Sequence, residues 1–336
     1  MRSGKLGPAG RSSCELARSA ARAPVGPTTG PTTGPSAPPV SWLPGFVALS
    51  AIWGASFALI KIGVDAGVPP VWVALWRCLF GALTLFGICL ARRVRLPRDR
   101  VTWMHAIVVA TLLNAVPFTL MAFGEQLVSS VQAGVFNAVT PLATLLFGLV
   151  LLPTERLTGR RLVGLALGLL GVLCLLGVWQ GLGDGSGGGP GGVGLTGELS
   201  GGLACLGATL CYGAGFSYTR RWYASRDGSA AALSALQIGC ATVELMLVAP
   251  FLAGPPSWPG PGAAAALVTL GAVGTGWAYV LNLGVIRVAG SSVAAMVTYA
   301  TPVWSTAIGA LLLAEPVGWH TLLGALLVVA GILAAR

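Results

Sequence analysis

Ten apolar segments follow one another from Leu43 to the C-terminus, and they constrain the fold more than any other feature of the sequence. Each is about 20 residues long, the length that an α-helix needs to cross roughly 30 Å of hydrocarbon. Backbone groups in lipid must be hydrogen-bonded within their own segment, so each segment is predicted to be a helix. The segments cover approximately residues 43–65, 70–91, 103–124, 128–151, 159–178, 199–221, 230–252, 263–286, 291–313 and 318–335. The predicted fold class is all-α, a polytopic membrane protein with ten transmembrane helices.

Composition excludes an ordinary soluble protein, because 55% of the 336 residues are hydrophobic and only 9% are charged. The net charge of +10 would suggest nucleic acid as a partner if the cations were clustered on a soluble surface. They lie between apolar segments instead, which indicates membrane orientation and the lipid bilayer as partner. The seven cysteines form no CxxC pair, and the two histidines, His105 and His320, are far apart. No metal site and no cofactor are therefore expected.

The positions of the cations predict the orientation of the chain. If the N-terminus is cytosolic, all but two of the 20 Lys and Arg residues fall in cytosolic segments. The exceptions, Lys61 and Arg77, lie within spans. An excess of Lys and Arg on the cytosolic side is typical of membrane proteins. We therefore predict a multi-pass protein of the cytoplasmic membrane with both termini in the cytosol.

The chain contains an internal repeat. Residues 130–176 recur as 291–333, with matching Thr-Pro pairs, turn glutamates and spaced glycines, and WGASF at 53–57 matches YGAGF at 212–216. Five helices per repeat is an odd number, so the repeats are predicted to be inverted, an architecture that suits alternating access. The predicted organisation is a disordered cytosolic tail (1–41), a first repeat (42–179), a Gly-rich external linker (180–198) and a second repeat (199–336).

Several stretches together form a recognisable pattern: WGASF at 53–57, WRCLFGALTL at 76–85, NAVTPL at 137–142, ERLTGRRLVGLALGLLGV at 155–172 and, in the second half, TP followed by LLLAEPVGWHTLLGALLVVAGI. With these stretches the chain resembles the EamA-type transporters of the drug/metabolite transporter superfamily. The resemblance covers about residues 43–335. It implies two inverted five-helix repeats around a central solute cavity, and frequently an export role. In the second repeat, Gln237 stands where Arg77 stands in the first.

Polar and aromatic groups held at depth are the candidate solute-binding residues, because they are costly in hydrocarbon and usually face a cavity or a partner. The substrate-binding candidates are Trp53, Phe57, Asn114, Asn137, Tyr212, Phe216, Trp277, Asn282 and Tyr299. The alternative for each polar residue is a hydrogen bond between helices. For the aromatics it is helix packing or an interfacial belt.

Two prolines and three charged residues complete the candidate site. Pro141 and Pro302 are predicted to kink their helices, because proline removes a backbone hydrogen bond. Arg77 is expected to pair with Glu125 or to line an outer vestibule. Glu244, isolated within a span, is a candidate proton carrier for a coupled transporter, and its alternative is a hydrogen bond to a neighbouring helix.

Two further features have structural interpretations. Glu155 and Glu315 are each predicted to cap the helix that follows them. The glycines at 164, 168, 324 and 331 would permit close helix contact, either within the chain or across a homodimer interface. The sequence leaves those two outcomes open.

The predicted function is secondary transport of small organic solutes such as metabolites, amino acids or drugs, with export by alternating access. The chain has no ATP-binding P-loop, so the driving force would be an ion or solute gradient, with protons the candidate ion. An enzyme is not expected. The main alternative is a non-transporting membrane scaffold or sensor with the same fold. A membrane-embedded transferase is a more distant alternative, because it would require clustered acids or histidines near one face.

Overall fold

The computed structural model of the protein describes residues 42–151, 159–175, 195–289 and 297–335, together with Met1. The predicted tail and most of the predicted linker lie outside these residues. All regular secondary structure in the described residues is helical. The helices are α1 Leu43–Asp65, α2 Pro70–Ala91, α3 Arg100–Ala110, α4 Val116–Glu125, α5 Ser130–Asn137, α6 Thr140–Leu151, α7 Gly159–Leu175, α8 Leu195–Tyr218, α9 Ala230–Ala253, α10 Pro261–Gly271, α11 Ala278–Ala289, α12 Val297–Leu312 and α13 Trp319–Ala335. Helix α8 begins within the predicted linker.

In the described part of the chain, seven helical segments are long and apolar enough to cross a membrane. They are Leu43–Asp65, Pro70–Ala91, Arg100–Glu125, Ser130–Leu151, Thr196–Tyr223, Ala230–Ala253 and Pro261–Asn282. Three shorter apolar helices, Leu162–Gly171, Ala300–Leu312 and Trp319–Gly331, coincide with the remaining predicted spans. The prediction of an all-α polytopic membrane protein is confirmed. The number of crossings and the inversion of the repeats stay predictions.

Three of the long segments contain a widened π-helical turn. Thr111–Ala115 joins α3 to α4, and Ala272–Trp277 joins α10 to α11. A third widened turn, Thr219–Tyr223, follows α8. The first two begin at the same distance from the first residue of their segment, since Thr111 follows Arg100 and Ala272 follows Pro261 by eleven positions. Such turns are rare and are frequent at functional sites.

The two predicted proline kinks differ in the structure. The chain breaks at Ala138 and Val139, so the predicted fourth span consists of two helices, α5 and α6, with Pro141 in the first turn of the second. Proline has no N–H for the hydrogen bond that a continuous helix would require there. Pro302 lies inside α12, which continues through it.

Glu315 caps the beginning of α5, in the other half of the chain. Its carboxylate accepts hydrogen bonds from the N–H groups of Ser130 (2.9 Å) and Val131 (3.1 Å) and from the Ser130 hydroxyl (2.8 Å). The prediction that Glu315 caps the following helix is therefore wrong in its target, although the principle of a carboxylate meeting free N–H groups holds. Glycine at position 309 leaves space for this contact, because a Cβ atom there would lie only 2.8 Å from the Ser130 hydroxyl oxygen. The corresponding Glu155 lies outside the described residues.

Helices α7 and α13 pack together through glycines. A Cβ on Gly331 would lie 2.6 Å from the carbonyl oxygen of Gly164 and 2.7 Å from the backbone nitrogen of Gly168. Within the part of the chain that the structure describes, these glycines therefore serve contact between the two halves. Other pairs also join the halves: α2 packs on α9, and α1 packs on α12.

Candidate functional site

A cavity of about 270 Å³ lies among helices from both halves of the chain. Its lining is mainly aromatic and apolar, with amide, hydroxyl and guanidinium groups interspersed. The lining residues are Trp53, Ser56, Phe57, Arg77, Leu113, Phe118, Met121, Asn137, Thr140, Tyr212, Phe216, Thr219, Ala230, Ser234, Gln237, Gly274, Tyr279, Asn282 and Thr298. An apolar cavity with a few convergent polar groups is the usual form of a small-molecule site.

The structure brings six of the nine sequence-predicted substrate-binding residues to this cavity: Trp53, Phe57, Asn137, Tyr212, Phe216 and Asn282. Asn114 lies behind the wall, fully buried. Trp277 is 48% exposed and is absent from the lining. The Tyr299 side chain lies outside the described part of the structure, although its neighbour Thr298 lines the cavity.

Arg77 projects from α2 into the cavity, and two contacts fix its orientation. Its Nε donates a 3.2 Å hydrogen bond to the Thr275 hydroxyl, and its Cζ lies 3.8 Å from the centroid of the Phe118 ring. Within the described residues, its two terminal nitrogens form no hydrogen bond. The expected ion pair with Glu125 is not formed, because Arg77 is directed toward Thr275 and Phe118 instead.

Asn114 forms a second polar contact between the halves, in addition to that of Arg77 with Thr275. Its Oδ1 accepts a 2.7 Å hydrogen bond from Nε2 of Gln237, and its Nδ2 lies 3.5 Å from the Tyr279 hydroxyl. Both Asn114 and Gln237 are buried. A buried amide without partners is costly, so this pairing stabilises the packing of α9 on the widened turn that contains Asn114.

These two contacts occupy equivalent positions in the two halves. Counted from the first residue of each segment, Arg77 corresponds to Gln237, and Thr275 corresponds to Asn114. The aromatic residues Phe118 and Tyr279 correspond in the same way. Each half therefore sends one polar side chain from its second helical segment to the widened turn of the other half. The main chemical difference is that the first half supplies a cation and the second an amide.

Glu125, at the end of α4, is the most deeply buried of the acids that the structure describes. Its side chain is fully buried, and neither carboxylate oxygen has a hydrogen-bond partner in the described structure. Lys61 Nζ donates a 2.8 Å hydrogen bond to the backbone oxygen of Glu125 and lies 3.2 Å from the carboxylate of Asp65. The charged groups acting on the Glu125 carboxyl group are Lys61, Glu315, Arg77 and Asp65.

Glu244 lies away from the cavity lining. Its Oε2 accepts a 3.1 Å hydrogen bond from the Thr111 hydroxyl, while its Oε1 has no partner in the described structure. The hydrogen bond joins α9 to the widened turn after α3. Glu244 thus forms the hydrogen bond to a neighbouring segment that was named as its alternative, and its role as a proton carrier stays a prediction.

Sequence reasoning missed several lining residues, among them Phe118 and Tyr279, and it also missed Thr275, the acceptor of the Arg77 hydrogen bond. The available signal was the repeat, because Gln237 aligns with Arg77 and Tyr212 with Trp53. Extending that alignment to the third segment of each half would have found Phe118 and Tyr279. Among the described residues, no three His, Cys, Asp or Glu side chains converge as metal ligands would.

The helices and cavity define a class: a polytopic membrane protein with two related halves enclosing a cavity. The chain belongs to the EamA-like transporter family, whose sequence profile matches residues 40–177 and 199–335. It is thus a member of the drug/metabolite transporter superfamily, as the sequence resemblance predicted.

Individual relatives match about one repeat. "Uncharacterized inner membrane transporter YedA" of Escherichia coli (strain K12) is 36% identical over 138 residues, covering 40% of this chain and 44% of the relative. The "S-adenosylmethionine/S-adenosylhomocysteine transporter" of Chlamydia muridarum is 34% identical over 128 residues, covering 36% and 38%. The chain thus matches less than half of the length of these relatives. One solved crystal structure shares the fold, with a TM-score of 0.59 and 24% identity over 88% of this chain and 94% of that one.

Proposed function

We propose that this protein is a secondary transporter that exports small organic solutes through the cavity by alternating access. Two inverted five-helix repeats would expose the cavity to each side of the membrane in turn. The observation that carries the proposal is the composition of the cavity wall, in which corresponding residues of both halves face one space. The pairs are Trp53 and Tyr212, Phe57 and Phe216, Arg77 and Gln237, Phe118 and Tyr279, Met121 and Asn282, and Asn137 and Thr298.

The geometry supports a conformation open toward the cytosol, with both chain termini on that side. The cavity extends to Thr219 and Ala230, which flank the loop containing Arg221 and Arg226. Cations at one end of the spans mark the cytosolic side. At the opposite end of the molecule, Glu315 ties the two halves together through the beginning of α5. Rocking between the halves would have to break that contact.

We infer that Glu125, rather than Glu244, is the acid through which protons are coupled to transport. A buried carboxylate without hydrogen bonds is costly, and proton uptake removes that cost. The ammonium group of Lys61 is already held at the Glu125 backbone and at Asp65. It could pair with the Glu125 carboxylate after proton loss, which would couple protonation to a local rearrangement between α1 and α4.

The cavity also distinguishes transport from the alternative of a non-transporting scaffold. A scaffold has no need for a wall that contains a guanidinium group and several amides, which are costly at depth. A scaffold would instead be expected to fill its centre with apolar side chains, since close packing stabilises a membrane bundle. The polar lining therefore favours a transporter.

The test is metabolite accumulation in cells with and without the protein, with variants that separate the cavity from the lipid-facing surface. We expect expression to lower the intracellular level of at least one solute in a broad panel of metabolites and toxic analogues. Asn137→Trp, which fills the cavity, should abolish the difference. Leu247→Trp, at a position that is 66% exposed, should not. Equal accumulation across the panel in cells with and without the protein would contradict the proposed function.

A further inference from the structure

We propose that the solute bound in the cavity is an organic anion with an apolar body, and that Arg77 holds its carboxylate. This inference rests on the proposed function and specifies the chemistry of the same site. It starts from the charge of the cavity wall. Arg77 is the one ionised side chain among the described residues that line the cavity, and no acid accompanies it there.

The Arg77 guanidinium group is oriented for a ligand. Its Nε is occupied by Thr275 and one face of its plane by Phe118, which holds the group in place. The terminal nitrogens remain without a hydrogen bond in the described structure. A guanidinium group with two parallel N–H donors matches the two oxygens of a carboxylate, and this bidentate geometry is among the strongest recognition contacts in proteins.

Among the described residues, no carboxylate pairs with Arg77. The ion pair formed among them joins Lys61 to Asp65, and the buried carboxylate of Glu125 forms no hydrogen bond to Arg77. A cation within a membrane span is expensive unless it is paired. An anionic solute would pair with Arg77, so the cavity should favour anions over neutral and cationic solutes.

The difference between the two halves makes the charge of the cavity wall asymmetric. The position equivalent to Arg77 carries Gln237, whose Nε2 is already committed to Asn114. The opposite wall therefore offers no second cation. A solute with one anionic group should bind in a single orientation, with the carboxylate at Arg77 and its body toward the aromatic side chains.

The remaining wall specifies the rest of the solute. Trp53, Phe57, Leu113, Met121 and Tyr212 provide apolar and aromatic surface. Among the lining residues that the structure describes, none is an acid that could pair with an ammonium group. The site should therefore prefer a carboxylate without a free amine over a zwitterionic amino acid of the same size.

The experiment compares three probes of one shape with purified protein in lipid nanodiscs at neutral pH, using isothermal titration calorimetry. The probes are 3-phenylpropanoate, the neutral 3-phenylpropanamide and phenylalanine. We expect the acid to bind at least about tenfold more tightly than the amide and than phenylalanine, since one charge-assisted bidentate contact is of that order. Equal binding of acid and amide would overturn the proposal. Tighter binding of phenylalanine would overturn the exclusion of amines.

Variants of Arg77 assign the preference to this residue. Arg77→Gln should weaken acid binding by about tenfold and leave amide binding within about threefold, and Arg77→Lys should give an intermediate result. Unchanged acid binding in Arg77→Gln would contradict the assignment. If a variant fails to fold, the comparison of acid and amide on the unmodified protein still decides. Undetectable acid binding also overturns the proposal, whereas the metabolite panel separately decides whether the protein transports any solute.

Discussion

Glu315 and Ser130 are 185 positions apart in the sequence, yet the Glu315 carboxylate accepts hydrogen bonds from both the backbone nitrogen and the hydroxyl group of Ser130. Gln132, in the same turn, is satisfied by the neighbouring Ser129, whose hydroxyl accepts from the Gln132 nitrogen at 3.1 Å. Together these acceptors account for the first three N–H groups of α5, which would otherwise lack partners. The second half of the chain thus completes a helix of the first.

Glu315→Ala should loosen the contact between the halves at this end of the molecule. Three hydrogen bonds to a charged group are lost, so we expect a destabilisation of about 1–3 kcal/mol, measured as a lower thermal midpoint in detergent. A cysteine introduced at Asn137 should also react faster with an impermeant maleimide applied from outside the cell. Glu198→Ala serves as the control, because Glu198 does not bridge the halves in the described structure. Equal labelling rates in the two variants would contradict a gating role.

Glu125→Gln and Glu244→Gln separate the two candidate coupling acids. If Glu125 carries the proton, its amide variant should lose the dependence of transport on a pH gradient while still exchanging solute between the two sides. Glu244→Gln should keep that dependence, because Thr111 can donate equally well to an amide oxygen. Solute flux in proteoliposomes with and without an imposed pH gradient measures both. Proton-driven flux that survives in Glu125→Gln would refute the assignment.

Gly331→Ala tests the close packing of α7 on α13. The added methyl group would lie 2.6 Å from a backbone oxygen, so the helices must separate, at a cost of about 1–3 kcal/mol. Gly87→Ala is the matched control, because a Cβ at this helical position of α2 meets nothing within 4 Å. It should be neutral or slightly stabilising. Thermal unfolding of both variants gives the comparison, and similar losses would argue against a specific contact at Gly331.

Trp53→Ala and Trp277→Ala compare a tryptophan inside the cavity with one outside it. Trp53 contributes aromatic wall to the cavity, so its truncation should weaken solute binding by roughly tenfold, from the loss of apolar contact area. Trp277 is 48% exposed and outside the lining, so its truncation should change binding by less than about twofold. Titration of the same solute into both variants measures the difference. A larger loss in Trp277→Ala would mean that the site lies elsewhere.

The helices and much of the cavity could be predicted from the sequence because both follow from short-range patterns. Apolar length predicts each span, and the repeated WGASF and YGAGF motifs point to Trp53, Phe57, Tyr212 and Phe216 as one set. Such motifs identify corresponding residues of the two repeats regardless of how the helices pack. For the same reason the Lys61 and Asp65 pair, four residues apart on one helix, could be predicted and is formed at 3.2 Å.

Partners from distant helices could not be predicted. The sequence indicates that Arg77 and Glu125 are both costly at depth, which suggests a pair, but it contains nothing about which way each side chain turns. Phe118 and Thr275 orient Arg77 instead, and Thr275 lies in a widened turn that no propensity predicts. For Glu315, the sequence likewise predicts a capping role but does not indicate which helix is capped. In each case the residue type was informative, and the partner depended on the packing of the halves.

The paired widened turns also link the shapes of the two halves. A π-helical turn is a local departure from the regular hydrogen bonding of an α-helix. Thr111–Ala115 and Ala272–Trp277 begin at the same point of corresponding segments, and each supplies the acceptor for a side chain from the other half. Tightening of either turn to a regular α-helix would move its acceptor oxygen away from the side chain that donates to it. A change of helix geometry in one half would therefore alter a contact made by the other half.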